Sequence, residues 1–529
     1  MPKATSSKIA KYATIVTIGY TISRILGYLR EFGLAYIFGS NYKTDAYNMA
    51  FSVPDLLYYL LAGGALSAAF IPVFTNYLTQ KKEEEAWKIA SSLANLLIIL
   101  TSLGIVLGII FAHRLYPLLA PGFDAKTMSL CVLCGRIMFS MVLFFILSAL
   151  CSGILNSLQH FTTPAAAFIV YNIPIILACF ILGPRIDIIA MPLGVLTGAI
   201  AMVAIQLPVI MKKGMHYCFI LNLGHPGVKR IIQLFIPAMI GLSISQLNLF
   251  NIPYYFGSGV GEGAVTYLRF ANRLIFLPLG VFASAIAISI FPTLSIQVSE
   301  GAVKDFKRTL AKGIRATFLF SLPSTVGLII LREPIVRLLF QHGKFTSADT
   351  EATAYALLFF SLGIFAHSAL QVITRGFYSF QDTITPVKVG LATVGLNILS
   401  CFLFQRGFQI GNLLIKGVGG IALAPSLTAT INLLILFSLL RKKVGGIDTK
   451  GISICFIKYL FASIIMGIVC LLISQGVEEF IGVSHLLGVA TQVGLATVGG
   501  VIVYTLLIFL LKMEEAYMFW GMVKERLGW

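Results

Sequence analysis

Apolar windows of about 20 residues, separated by short polar breaks, recur fourteen times along the chain. Their centres lie near Gly27, Leu61, Ile99, Val142, Ile173, Ile200, Leu242, Val281, Thr325, Leu362, Gly395, Ile431, Ile464 and Gly499. A helix of that length crosses about 30 Å of hydrocarbon at roughly 1.5 Å per residue. The pattern predicts an all-α polytopic membrane protein with fourteen transmembrane helices. The second, fourth, eighth and tenth windows are longer than a bilayer needs, which predicts tilt or protrusion.

Composition agrees with that class. The 529 residues are 58% hydrophobic and 11% charged, with a mean hydropathy of +0.91. A soluble chain would carry about 25% charged residues. The net charge of +18 does not point to nucleic acid, because the basic residues sit in short clusters between apolar runs and no nucleic-acid-binding motif is present. One set of alternate loops holds 22 Lys and Arg and the other holds 8. By the positive-inside rule both termini are cytoplasmic, as an even helix number also requires. The basic N-terminus (Lys3, Lys8, Lys11) leads into an apolar run without a small-residue cleavage site, so it reads as a retained first helix. The cysteines lie mostly inside apolar segments. Cys131 and Cys134 form a CxxC without a second pair or a nearby His, so they read as small buried residues rather than metal ligands.

The chain also repeats itself. "LNSLQHFTTPA" (155–165) matches "FYSFQDTITPV" (377–387) at Ser, Gln, Thr and Pro with an offset of 222. Gly19, Ile22 and Ser23 match Gly241, Ile244 and Ser245 at the same offset, and "FGS" recurs at 38–40 and 256–258. Six helices per copy bring the second copy in from the same side, so the repeats are parallel. The expected organisation is an N-lobe over 11–213 (helices 1–6) and a C-lobe over 227–443 (helices 7–12). Two further helices span 452–511, and an amphipathic cytoplasmic tail spans 512–529, with Tyr517, Phe519, Trp520 and Trp529 at headgroup level.

Charge inside the first window changes the picture. "SRILGYLREFGLAYIFGS" (23–40) carries Arg24, Arg30 and Glu31. Each costs roughly 3 kcal/mol at a membrane helix centre, while each large aliphatic residue returns only about 0.5 kcal/mol. The helix therefore needs a polar interior to face. On an ideal helix Arg24 and Glu31, seven apart, share a face. In the eighth window Arg269 and Arg273 share one at i, i+4. Asp45 and Asp55 are the nearby acids of the second helix. The functional reading is an arginine-lined cavity for an anionic head group, because a guanidinium holds phosphate oxygens bidentately and stays charged when desolvated. The competing reading is structural ion pairing, such as Arg24–Glu31. His160 and Asp382 occupy equivalent repeat positions at cytoplasmic helix ends and read as caps or gating loops. No phosphate-binding loop, HExxH or nucleophile elbow is present, so no catalytic machinery, cofactor site or metal site is expected.

At these residues the chain resembles the MurJ (MviN) lipid II flippases of the MOP exporter superfamily. The resemblance rests on "SRILGYLREFGLAYIFGSNYKTDAYNMAFSVPDLL", "ALSAAFIPVF", "ANRLIFLPLGVF", "LFQHGKFTSADT" and "RGFYSFQDTITPVKVG", in order over roughly residues 10–510. It implies two MATE-like six-helix lobes and a groove for a lipid tail beside the last two helices. It also implies flipping of undecaprenyl-diphosphate-linked peptidoglycan precursor, lipid II, from the inner to the outer leaflet of the bacterial cytoplasmic membrane by alternating access.

The family's essential arginines fall on Arg24, Arg30 and Arg273, and its acids on Glu31 and Asp45. With Arg269 these make the expected substrate-binding set. The chain departs from the family at Tyr58, Tyr59 and Gly63, at Asn272 before Arg273, and in helix 7, where Asn248 and Asn251 stand without a carboxylate. The expected partners are lipid II and membrane lipids, with the protein acting as a monomer in contact with the cell-wall synthesis machinery. Coupling is expected to be to membrane potential or a monovalent cation. The alternatives within the superfamily are a flippase for another lipid-linked saccharide and a small-molecule antiporter. An antiporter for organic cations calls for acids where this chain has arginines.

Overall fold

The computed structural model describes residues 6–61, 65–246, 252–410, 413–483, 485–517 and 520–521. It describes side chains from residue 17 onward, apart from those of 59–61, 65, 68, 237–246, 410, 413 and 414. Gly63, Asn248, Asn251, Phe519 and Trp529, and the side chain of Tyr59, lie outside this set.

Helices dominate. The first copy of the repeat runs α1 (Ser6–Phe38), α2 (Tyr42–Leu61), α3 (Ala65–Thr79), α4 (Glu83–Leu119), α5 (Ala125–Ser157), α6 (Thr162–Leu177), the short α7 (Gly183–Ile186) and α8 (Ala190–Lys212). The second runs α9 (Pro226–Gln246), α10 (Ile252–Gly257), α11 (Ala264–Pro278), α12 (Ser284–Ser299), α13 (Val303–Ile330), α14 (Arg332–Phe340), α15 (Ser347–Ser361), α16 (Ile364–Ser379), α17 (Ile384–Gln405) and α18 (Gly417–Lys443). Then come α19 (Thr449–Phe480) and α20 (Leu486–Leu510). Each expected window falls on a helix or on a consecutive helix pair. One element departs from the all-helical expectation among the described residues: a two-stranded antiparallel ribbon, β1 (Phe408–Ile410) paired with β2 (Leu413–Ile415), with Phe408 opposite Ile415.

The repeat is legible in the backbone. α2 and α11 start at 42 and 264, α5 and α15 at 125 and 347, and α6 and α17 at 162 and 384, each pair 222 apart. The ends of α5 and α16 close with the same motif. Gln159 and Gln381 take φ of 57° and 59°. The amides of His160 and Asp382 donate five residues back, to Leu155 O at 2.8 Å and Phe377 O at 3.1 Å. A left-handed residue with that 6→1 bond satisfies carbonyls that a helix end would orphan. Gly198 and Gly420, again 222 apart, mark close helix approaches: an added Cβ would meet Tyr171 O at 2.4 Å and Phe404 O at 2.2 Å. Without a hydrophobic drive between helices in lipid, such small-residue contacts let them pack.

Among the described residues, nine helices are long and apolar enough to cross a membrane, or ten if the bent pair α15–α16 is one span. The difference from fourteen has physical reasons. The stretch Thr162–Lys212 counts once at 51 residues, yet a straight helix of that length would run about 77 Å, more than twice the hydrocarbon thickness. It is broken by a π-helical turn at Ala178–Leu182 and by Asp187 at φ 56°, and α6 packs back on α8. α1, α2 and α9 are absent from the count: α1 and α2 carry Arg24, Arg30, Glu31, Asp45 and Asp55, and α9 carries Lys229 and Arg230. Two π turns, Ala178–Leu182 and Leu279–Ala283, lie just after Pro174 and Pro278, where the lost amide frees a carbonyl and loosens the ladder.

By contact the chain divides into two compact units, residues 1–266 with 343–345, and residues 267–342 with 346–529. In the first, α5 packs on α2, α4 and α8, and α1 on α6. The expected lobes divide between 213 and 227. By contact α9 and α10 group with the first unit, since α9 packs on α2 and α3. In the second, Phe306, Leu310 and Phe318 of α13 form the core with Val372 and Phe377 of α16 and Leu436 and Leu440 of α18. Ile99, Leu100, Leu103 and Val106 of α4 are more than half exposed, as lipid-facing residues of a spanning helix are.

Candidate functional site

The charges of α1 separate by environment. Arg30 and Glu31 are 7% and 2% exposed and form an ion pair, Arg30 Nη2 to Glu31 Oε1 at 2.7 Å. Arg24 is exposed. The pairing considered from sequence was Arg24–Glu31; the buried pair joins Glu31 to its chain neighbour Arg30. A buried pair of this kind is costly to break, because the remaining charge is left uncompensated. A guanidinium has five donors, so the bond to Glu31 leaves Arg30 able to hold an anion as well. On α11, Arg269 is half-buried, Arg273 exposed and Asn272 fully buried.

Asp45 has a defined job. It is 1% exposed, and its Oδ2 accepts from Gly263 N at 2.6 Å while Oδ1 accepts from Thr266 N at 2.8 Å and Thr266 Oγ1 at 2.7 Å. These donors sit at the start of α11. Asp45 therefore caps a distant helix, satisfying amides that α11 cannot satisfy itself and placing a negative charge at the positive end of its dipole. Nothing in the sequence spacing signals this, because the partners lie more than 200 residues away.

A second join involves the "FGS" and "HGK" segments. Lys344 N donates to Tyr36 O at 3.0 Å, and Gly39 and Gly343 take φ of 70° and 62°. A Cβ on Gly39 would meet Lys344 O at 2.6 Å and one on Gly343 would meet Tyr36 O at 2.3 Å, so only glycine fits at either place. In the next turn, Thr346 and Asp349 form a capping box at the start of α15, and Tyr267 Oη donates to Asp349 at 2.7 Å.

Other polar and aromatic positions take ordinary roles. Tyr58 sets its ring at a tilt 5.0 Å from that of Phe145. Arg136 is exposed and donates to Ile109 O; Arg375 lies over Phe291 and Tyr378. His160 bonds Thr163 Oγ1 at 2.8 Å. Its repeat counterpart Asp382 accepts from Thr385 N and Oγ1 at 3.0 Å and pairs with Lys443 at 2.6 Å. Burial raises the Asp382 carboxyl, but the bonds from Lys443 and Thr385 outweigh it and hold the group below its usual value. Asp382 thus caps the start of α17 through the Thr385 amide, while His160 bonds a side chain at the start of α6. Cys131 and Cys134 are buried free thiols. No cluster of three metal-ligating side chains occurs among the described residues.

The sequence model of the family described as "Lipid II flippase MurJ" matches residues 34–491. The chain belongs to the MurJ family. A "Lipid II flippase MurJ" from Burkholderia cenocepacia is 30% identical over 463 residues, covering 86% of this chain and 88% of that protein. A solved structure titled "Lipid II flippase MurJ, inward closed conformation" superposes with a TM-score of 0.78 at 27% identity, covering 94% of this chain and 99% of that one. An inward-facing MATE multidrug transporter of the MOP superfamily, 14% identical, has a TM-score of 0.65 and covers 81% of this chain and 98% of its own. That likeness shows the fold alone. As a MurJ family member the chain is a multi-pass membrane transporter and not an enzyme.

Proposed function

We propose that this chain is a lipid II flippase, carrying undecaprenyl-diphosphate-linked peptidoglycan precursor from the inner to the outer leaflet of the bacterial cytoplasmic membrane. The observation that carries this reading is the family match over residues 34–491 together with 30% identity to a named flippase across 86% of the chain. The α1 charges fit the task. A diphosphate cannot cross hydrocarbon bare, since each unpaired charge in an apolar medium costs many kcal/mol. Arg24, Arg30, Arg269 and Arg273 bind it, with Glu31 holding the Arg30 side chain in place and Asp45 fixing the start of α11, which carries Arg269 and Arg273. The protein works as a monomer by alternating access, with both termini cytoplasmic. The membrane potential or a monovalent cation supplies the drive.

The test is complementation of a strain depleted of its own lipid II flippase. Wild-type chain restores growth, and Arg273→Ala at normal abundance does not. Arg273→Lys rescues only in part, because a point ammonium lacks the bidentate fork. Full growth with Arg273→Ala overturns the arginine assignment. Failure of the wild-type chain, correctly inserted, overturns the cargo.

A further inference from the structure

One helix carries a cationic face that the proposed function does not use. At the start of α13, Lys304, Lys307, Arg308, Lys312 and Arg315 recur at three- and four-residue spacing, which places them along one side of the helix. Together with Ala311, Asp448 and Glu514 they line a cavity of about 610 Å³ in the second unit. That volume is within the range of ordinary small-ligand sites.

Two of the five cations are already engaged. Lys307 Nζ donates to Gly445 O at 2.9 Å. Arg315 Nε lies 2.8 Å from Glu515 Oε1, and Glu515 also accepts from Tyr459 Oη at 2.9 Å, so Arg315 is held from behind the lining by two buried side chains. The wall acid Asp448 caps α19 through Gly451 N at 2.9 Å. Lys304, Arg308 and Lys312 form no ion pair among the described residues. Lys304 and Arg308, and Arg308 and Lys312, are like charges at i, i+4, an arrangement that destabilises a helix unless an anion lies between them.

The surroundings point to the membrane surface. Beyond α20, Tyr517 and Trp520 are about half exposed and pack on Phe509 with ring centroids 5.1 and 6.2 Å away. Amphipathic aromatics of this kind sit at headgroup depth. The loop set that contains the start of α13 and the tail is the Lys- and Arg-rich one, expected to be cytoplasmic. A basic pocket between helices at that level is built for a lipid phosphate.

We propose that the cavity lined by Lys304, Arg308 and Lys312 is a binding site for a phosphate-bearing lipid head group, built from residues other than the arginines of α1 and α11. The head group neutralises the cationic face of α13, while the acyl or prenyl chain remains in the leaflet. Two sources share this chemistry, an anionic phospholipid and a prenyl diphosphate.

The experiment uses the full-length protein in detergent at low salt. Binding is measured for dioctanoyl phosphatidylglycerol, a short-chain prenyl diphosphate, dioctanoyl phosphatidylcholine and inorganic diphosphate. The variants are Lys304→Gln/Arg308→Gln/Lys312→Gln and the charge-retaining Lys312→Arg. The anionic lipids bind wild type about tenfold more tightly than phosphatidylcholine, as expected for attraction from a few basic groups. The triple variant loses that margin and Lys312→Arg keeps it. Whichever anionic lipid binds more tightly names the source. An Arg30→Ala control separates this site from the proposed cargo site: anionic-lipid binding that survives Arg30→Ala and is lost in the triple variant supports the proposal. Equal binding of phosphatidylcholine, inorganic diphosphate binding as tightly as either lipid, or an unchanged triple variant overturns it.

Discussion

Replacing Asp45 separates anchoring from substrate contact. In Asp45→Ala the amides of Gly263 and Thr266 and the Thr266 hydroxyl lose their acceptor at 2.6, 2.8 and 2.7 Å in a site that is 1% exposed. A hydrogen bond to a charged group contributes about 1.5–3 kcal/mol, and a lost helix cap alone costs about 0.5–2 kcal/mol. The three bonds share one carboxylate and one helix end, so their losses overlap, and about 3 kcal/mol is the expected total. A unit of roughly this size shifts by about 2–4 °C per kcal/mol, giving a fall of about 6–12 °C in Tm. Asp45→Asn retains one acceptor oxygen but turns an NH2 toward the other donors, and it falls between wild type and Asp45→Ala. The assay is thermal unfolding of purified protein, read beside flipping activity at a temperature where both variants are folded. An Asp45→Ala protein with wild-type Tm and no activity would refute the anchoring role and make Asp45 a substrate contact.

Two further substitutions follow from the same geometry. Arg30→Ala removes the guanidinium 2.7 Å from the buried Glu31 and costs about 3–5 kcal/mol, whereas Arg30→Ala/Glu31→Gln, which also removes the buried charge, recovers part of that stability but not the flipping; equal Tm for the single and double variants would show that the pair is not what holds α1. At the end of α16, Asp382 is held below its usual carboxyl value by Lys443 and Thr385 against the effect of burial. The stabilisation it gives is present above the unfolded carboxyl value near pH 3.9 and is lost as pH falls through the lower folded value. The Tm gap between wild type and Lys443→Gln is therefore open at pH 6 and closes toward pH 3; a gap that stays constant would assign the effect to something other than this carboxylate.

How much of this was legible in the sequence depends on the range of the interaction concerned. Helix windows and the repeat are local or periodic properties, and they map onto the structure down to the left-handed Gln159 and Gln381. The break within Thr162–Lys212 was legible as two windows, because Gly183, Pro184, Arg185 and Asp187 interrupt the apolar run, while the π turn inside the first window left no sign. Long-range polar joins left no trace. Asp45 looks like a second-helix acid in a cavity until α11 is seen to begin at its carboxylate, and Glu515 looks like one charge of a surface tail until Arg315 and Tyr459 are found against it. The ribbon at 408–415 was missed because its strands, three residues each, are too short to show alternation. In the sequence the basic run at the start of α13 speaks only to orientation. Loop charge counts cannot distinguish scattered lysines from cations that line one cavity.

The repeat also explains how one frame carries unequal chemistry. Equivalent turns at 155–163 and 377–385 share their backbone bonds, yet the first places a His on Thr163 and the second an Asp on Thr385 that also holds Lys443. Equivalent starts at 42 and 264 differ more: the first supplies Asp45, and the second supplies the amides that Asp45 caps. Backbone geometry fixes which amides are orphaned at each helix end, and either copy of the repeat can supply the acceptor. Once Asp45 meets the need at α11, the remaining positions of α11 are released from capping. Its i, i+4 face can then carry Arg269 and Arg273, a pair of like charges that costs a helix only about 0.2–0.5 kcal/mol. The duplicated frame thus secures the helix ends, and the side chains it leaves unconstrained are where the two copies have diverged toward binding.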